Sequence, residues 1–105
     1  MVVEFLTFHV PHAERSEWLE IEEQHWSRFL ARQPGFIRKE IWVPEVELNA
    51  DQSPQAHLRV HAVIWWESLE LWKAIAQEEL DAVVEAMGPY EREAVCDTFR
   101  VLRDC

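Results

Sequence analysis

Hydrophobic positions along the chain recur with a period of two in some stretches and about 3.6 in others, and the switches between the two periods mark out the elements. The clearest switch lies between His57 and Ile75. Leu58, Val60, Ala62, Ile64 and Trp66 alternate with His57, Arg59, His61, Val63 and Trp65, as in a strand with one dry and one mixed face. Ser68 then stands where a helix N-cap belongs, and Leu69, Leu71 and Trp72 open an apolar stripe. The helical pattern continues to Met87 and stops at Gly88-Pro89; one long helix and two short ones broken near Gln77 both fit it.

The same reading extends to both sides. Val2 to Val10 is a strand, with Val3, Phe5, Thr7 and His9 on one face, Glu4, Leu6, Phe8 and Val10 on the other, and Pro11 ending it. From about Ala13 to Arg32 the period is helical: Trp18, Leu19, Trp26, Phe29 and Leu30 share one broad face, with Glu22 near its centre and His25 beside it. Gln33-Pro34-Gly35 is a stop, since proline disfavours helix in the residue before it and glycine is free to take positive φ. Phe36 to Val43 is a second strand, Ile37, Lys39, Ile41 and Val43 alternating with Phe36, Arg38, Glu40 and Trp42. Pro44 to Ala56 has no period and collects turn-forming residues, which predicts a long connection. Arg92 to Leu102 is a last strand.

Strand, helix, strand, strand, helix, strand predicts an α+β fold of the ferredoxin-like, split βαβ kind, an antiparallel four-stranded sheet with its two helical segments on one face. Both faces of these strands carry large apolar side chains. The uncovered face, drawn from Glu4/Leu6/Phe8, Phe36/Trp42 and Val63/Trp65, therefore needs a partner, and a sheet-to-sheet homodimer is the economical one.

Composition narrows the function. At 105 residues the chain is expected to form a single domain, residues 1–105, small enough to gain from dimerisation. Its 20 acidic and 10 basic residues give a formal net charge of −10, which repels phosphate backbones and anionic lipid, so neither nucleic acid nor a membrane surface is expected as a partner. Only two glycines are present, and no phosphate-cradling motif. The first ten residues carry Glu4 and lack a basic leader, so they read as a strand rather than a signal peptide, and no apolar run reaches the ~18 residues of a membrane span. Cys96 and Cys105 have no CxxC spacing and lie roughly 30 Å apart along an extended chain, too far for a disulfide. They read as free thiols in a reducing cytoplasm, Cys96 as a small core residue.

Glu22-x-x-His25 has the i, i+3 spacing of metal ligands on one helical face. A metal needs three or four ligands, and the rest would have to come from His9 or His61, so no metal is expected. A carboxylate central to an apolar face must be paired, hydrogen-bonded or neutral, because burying it bare costs several kcal/mol, and Lys39 is one partner within reach. His25, His9 or a Glu22 of raised pKa could also serve as a proton-abstracting base. The plainer reading is a helix histidine satisfied by solvent. The six tryptophans, Trp18, Trp26, Trp42, Trp65, Trp66 and Trp72, fit core and interface packing or a stacking surface for a flat ligand, with Trp26 and Trp66 best placed as pocket wall.

Three features of the chain together resemble a known group: Gln33-Pro34-Gly35-Phe36 leading into the second strand, Trp66-Glu67-Ser68 followed by Leu69-x-Leu71-Trp72, and the order of elements at this length. They are similar to the dimeric α/β-barrel superfamily that contains the antibiotic-biosynthesis monooxygenases, and more narrowly to a small, largely cyanobacterial family within it that has no assigned biochemical role. The resemblance implies a cavity in each subunit between sheet and helices, and a dimer whose two sheets form a barrel. Some members oxidise polycyclic phenols without metal or flavin. Another branch degrades haem with a strand-one asparagine, a strand-three tryptophan and a helix-two histidine; only the tryptophan has a counterpart here, Trp66, since the first strand offers Thr7 and His9 and the second helical stretch has no histidine.

The resulting expectation is a cofactor-free protein that binds, or binds and oxygenates, a hydrophobic aromatic molecule in a cavity lined by Phe5, Thr7, Trp26, Phe29 and Trp66, with Glu22 and His25 as its acid-base groups. A non-enzymatic structural or regulatory homodimer, its cavity filled by its own side chains, is the alternative, and haem degradation a more distant one.

Overall fold

The alternating strand around Trp66 lies at the centre of the sheet because both of its edges find partners. The computed structural model describes residues 1–45 and 56–104. Strand β3 (His57–Trp66) pairs antiparallel with β1 (Val2–Pro11) and with β2 (Phe36–Trp42), and β4 (Val95–Arg100) adds to the far side of β1, giving the order β2-β3-β1-β4. Between β1 and β2 the chain forms α1 (Arg15–Glu22), a π-helical turn (Glu23–Ser27) and α2 (Arg28–Ala31); between β3 and β4 it forms α3 (Leu69–Lys73) and α4 (Gln77–Met87). The expected ferredoxin-like α+β arrangement is the one observed.

Pairing fixes which face is which. Val2↔Trp66, Glu4↔Ile64, Leu6↔Ala62, Phe8↔Val60 and Val10↔Leu58 point to the helices. There Val10, Val60, Ile64 and Trp66 are wholly buried, Trp18 drops from α1 onto Phe8 at 4.9 Å, and its indole N–H donates to the Tyr90 carbonyl at 2.9 Å. Burying a side chain the size of Trp66 stabilises the fold by roughly 4–6 kcal/mol before entropy is counted. Glu4, Leu6 and Phe8, expected among the residues of the uncovered face, thus belong to the covered one. So does Phe36, because a bulge between Phe36 and Arg38 leaves Ile37 unpaired and carries Phe36 across to face Trp66, their rings 5.9 Å apart.

The open face carries an aromatic cluster centred on Phe5, which touches Trp42, His61 and Phe99 with ring centroids at 6.0, 4.8 and 6.0 Å. Trp42 packs on Trp65, Arg38 lies over the Trp65 ring at 4.1 Å, and Thr7 Oγ1 is 3.0 Å from His61 Nδ1. Burial, then the charges of Arg59 and His9, hold the His61 pKa below the ordinary histidine value. Trp42 and Phe99 remain 44% and 54% exposed, which leaves an apolar surface without a cover in the isolated chain.

The second helical stretch is two helices. Ser68 caps α3 by accepting from the Leu71 amide at 3.1 Å, Ala76 takes extended backbone, and Gly88 at φ 57° stops α4. The connection expected over Pro44 to Ala56 lies largely outside the described residues, as does Cys105. Cys96 is exposed on the edge strand rather than a core residue.

Gly35 is one of two places where glycine is required. Its φ is 86°, and a Cβ there would stand 2.7 Å from Leu71 Cβ, while its carbonyl accepts from the Glu67 amide at 2.8 Å, locking the first loop to the start of α3. Gly35→Ala should therefore lose roughly 2–4 kcal/mol of stability, left-handed strain and overpacking acting together, read as a lower urea midpoint at unchanged slope.

Candidate functional site

Between the helix-covered face of the sheet and the helices lies a cavity of about 540 Å³. Its walls are mainly apolar, with Leu6, Phe8 and Ile64 from the sheet and Trp26, Trp72 and Leu80 from the helices. Four carboxylates border it, Glu4 on β1, Glu22 at the end of α1, and Glu91 and Glu93 just before β4, together with the cations Lys73 and Arg92.

The first helical stretch delivers Glu22 and Trp26 to this cavity through its π-helical turn. In a regular α-helix, residues five apart diverge by about 140°, whereas the wider π turn brings them onto the same side. Glu22 and Ser27 consequently meet: Ser27 Oγ donates to Glu22 Oε1 at 3.4 Å, and the Lys39 ammonium, reaching from β2, donates to both. Glu22 is only 3% exposed, so this ion pair is what allows a carboxylate to sit among apolar side chains.

Glu4 and Glu91 are held by indoles. Trp66 Nε1 donates to Glu4 Oε1 at 3.1 Å, and Trp26 Nε1 donates to Glu91 Oε2 at 3.1 Å. Burial raises the pKa of each above the ordinary carboxylate value, outweighing the indole bonds; Lys73 and Lys39 moderate the effect at Glu4, and the charge of Glu22 adds to it at Glu91. Cys96, exposed overall, borders the cavity from β4, where partial desolvation and then the charge of Glu4 raise its thiol pKa.

The residues expected at a site divide into four groups. Glu22 and Trp26 line the cavity. Phe5 and Thr7 do not: they project from the opposite face of the sheet into the aromatic cluster, because β1 presents its even-numbered residues to the helices. His25 is turned away by the π turn into a groove between the helices, bordered by Arg28, Arg32, Glu79 and Ala82, and is not beside Glu22 in the cavity. Phe29 is core, edge-on to Trp26 at 6.3 Å. Trp66 lies wholly buried beneath the cavity and stacks nearly parallel on Trp72, centroids 6.4 Å apart, so the tryptophan walls of the cavity are Trp26 and Trp72. Glu4 and Glu91 are not among the residues that the sequence pattern points to. A glutamate alternating with Leu6 and Phe8 on one strand face was the available signal for Glu4, whereas Glu91, in an irregular segment, had none.

No family profile and no curated protein sequence matches the chain. Solved structures do. The haem degrader MhuD of Mycobacterium tuberculosis, with two haems bound in its active site, superposes with a TM-score of 0.67 at 25% identity over 100% of this chain and 99% of its own. SnoaB of Streptomyces nogalater, a cofactor-independent oxygenase, does so with a TM-score of 0.66 at 19% identity, over 98% of this chain and 95% of that one. A dimeric ferredoxin-like protein from an uncultured marine organism gives 0.65 at 17%, over 99% and 90%. The fold is thus the ferredoxin-like α+β fold that these structures share.

The Glu22–Lys39 pair sets a sharp stability test. Lys39→Met leaves a buried carboxylate uncompensated and should cost about 3–5 kcal/mol in chemical denaturation, while adding Glu22→Leu should recover most of the loss. Equal losses in the single and double variants would show that the pair is not what holds this part of the cavity wall.

Proposed function

We propose that the protein binds a hydrophobic aromatic small molecule in the cavity between sheet and helices and oxygenates it without a metal or organic cofactor. The observation that carries this reading is the cavity itself, an apolar volume of about 540 Å³ with tryptophan walls and carboxylates of raised pKa at its border. A flat ring gains from burial against Trp26 and Trp72, and a basic carboxylate can withdraw the proton that makes the ring electron-rich enough to reduce oxygen. Converting a ring methylene to a carbonyl then balances with one O₂: one oxygen atom enters the ring, and the other leaves as water with the two displaced hydrogens. SnoaB, a cofactor-independent oxygenase of the same fold, supports this class of chemistry.

MhuD supports a second reading, haem binding, at somewhat higher identity. Against it, no histidine is among the described residues that line the cavity. The cavity is also open between the described residues, which weakens the reading of a purely structural dimer with a filled interior.

Tryptophan fluorescence titration separates these readings. Polycyclic phenols should quench saturably at one ligand per chain, with less quenching in Trp72→Phe, and an aerobic mixture of protein and substrate should consume O₂ without added metal or flavin. Saturable binding of haemin with no response to any phenol would transfer the assignment to haem.

The protein also acts, in this proposal, as a homodimer joined through the open face of the sheet. The exposed aromatic cluster of Phe5, Trp42 and Phe99 supports this, as does the dimeric neighbour of the same fold. Sedimentation should give twice the chain mass for the wild type and the chain mass for Phe99→Arg. A wild-type monomer at tens of micromolar would refute the dimer, that range being one where interfaces of standard size stay assembled.

A further inference from the structure

The open face of the sheet is aromatic at its centre and basic toward one end, and His61 belongs to both parts. On β3, His57, Arg59 and His61 follow one another on this face, and His9 of β1 stands opposite Arg59. The His61 ring is half-buried. It lies 4.8 Å from Phe5 at an angle of 32°, faces Trp42 across β2 and Thr7 across β1, and has its Nδ1 3.0 Å from Thr7 Oγ1. Acidic groups that could balance a charge there are engaged or distant. Glu40 of β2 is held by Arg38 at 3.4 Å and by the Trp42 indole at 2.9 Å, and Asp97 of β4 lies across β1, opposite Phe5.

We propose that the dimer formed through this face is pH-sensitive, assembled while His61 is neutral and released when His61 of each copy takes up a proton. This rests on the reading of the open face as the homodimer interface. The Thr7 hydroxyl does not discriminate between the two states, since it donates to a bare ring nitrogen and accepts from a protonated one. Cover does discriminate. A second copy seated on Phe5, Trp42 and Phe99 strips water from the imidazole among them, and an imidazolium pays far more for that loss than a neutral ring. The Phe5 ring returns part of it, as an aromatic face does to any cation, while Arg59 and His9 add repulsion. In the single chain, burial and then the charges of Arg59 and His9 already hold the His61 pKa below the ordinary histidine value, and cover lowers it further. A proton held more tightly by separated chains favours separation, so the dimer has its full strength above the single-chain pKa and weakens as the pH falls through it. A two-fold interface covers the same residue on both copies, so each dissociation draws on both histidines.

Sedimentation equilibrium of the wild-type protein should give a dimer dissociation constant that rises about tenfold or more between about pH 8 and about pH 5.5, a range that spans histidine titration and stays above that of ordinary carboxylates. His61→Asn keeps an amide for the Thr7 hydroxyl and takes no charge, so its dimer should hold nearly equally at both pH values. His9→Asn, which changes a neighbour on the same face, should keep the wild-type response. The wild type also supplies a measurement that needs no variant to assemble: the His61 ring protons, followed by NMR, should titrate at a lower pH in concentrated, dimeric protein than in dilute, monomeric protein. A dimer equally tight at both pH values overturns the proposal and leaves the dimer in place. So does a His61 pKa that is the same in monomer and dimer, or an undiminished pH response in dimeric His61→Asn. A wild-type protein that is monomeric at the higher pH removes the dimer itself, and the switch with it.

Discussion

A carboxylate placed on the dry side of a sheet has to be met by a donor, and in this protein each such donor comes from a different element than the carboxylate. Glu4 of β1 is met by the indole of Trp66 in β3, Glu22 at the end of α1 by Lys39 of β2, and Glu91 before β4 by the indole of Trp26 in the π turn. A bare buried charge costs several kcal/mol, so these contacts are close to obligatory once the carboxylates are there. They tie strand to strand, helix to sheet and the last connection to the first helical stretch, and they do so around the rim of a volume that apolar packing leaves unfilled. The core and the cavity are two sides of one arrangement: Trp66 fills the first and supplies the donor that permits Glu4 to border the second.

The identity and order of the elements were legible because hydrophobic period is a strong signal wherever it persists, as it does from Leu58 to Trp66. Parity was harder. On β1 the odd set of Val3 and Phe5 is nearly as apolar as the even set of Leu6 and Phe8, because both faces of this sheet carry apolar side chains, and alternation alone does not say which set meets the helices. Only the pairing with β3 decides it, and that is a long-range property. On β2 a single unpaired residue, Ile37, moves Phe36 to the other face, a change that no count of alternate positions reveals. Glu22 and Trp26 were found from a helical wheel; His25 was misplaced by the same wheel, since the wheel assumes one winding throughout.

Fold and chemistry separate cleanly here. Haem degradation and cofactor-free oxygenation both occur on this scaffold, and the scaffold itself chooses neither. What distinguishes one chain from another is the set of polar groups turned toward the space between sheet and helices. In this chain that set includes Glu4 and Glu91, whose pKa burial raises, and it contains no histidine among the described residues. A difference of that kind is chemical rather than architectural, and superposition of backbones does not register it.

The π turn at Glu23–Ser27 has a bearing on ancestry as well as on geometry. Such a turn holds one more residue than the α-helical turn it interrupts, and a chain that gained it by insertion carries an indel in mid-helix, where alignment procedures resist placing a gap. Aligned without that gap against a relative of regular winding, every position on one side of the turn would be compared with its neighbour's counterpart, and conserved pocket positions would look like unrelated substitutions. A single cryptic residue can in this way make a lineage look more diverged than it is.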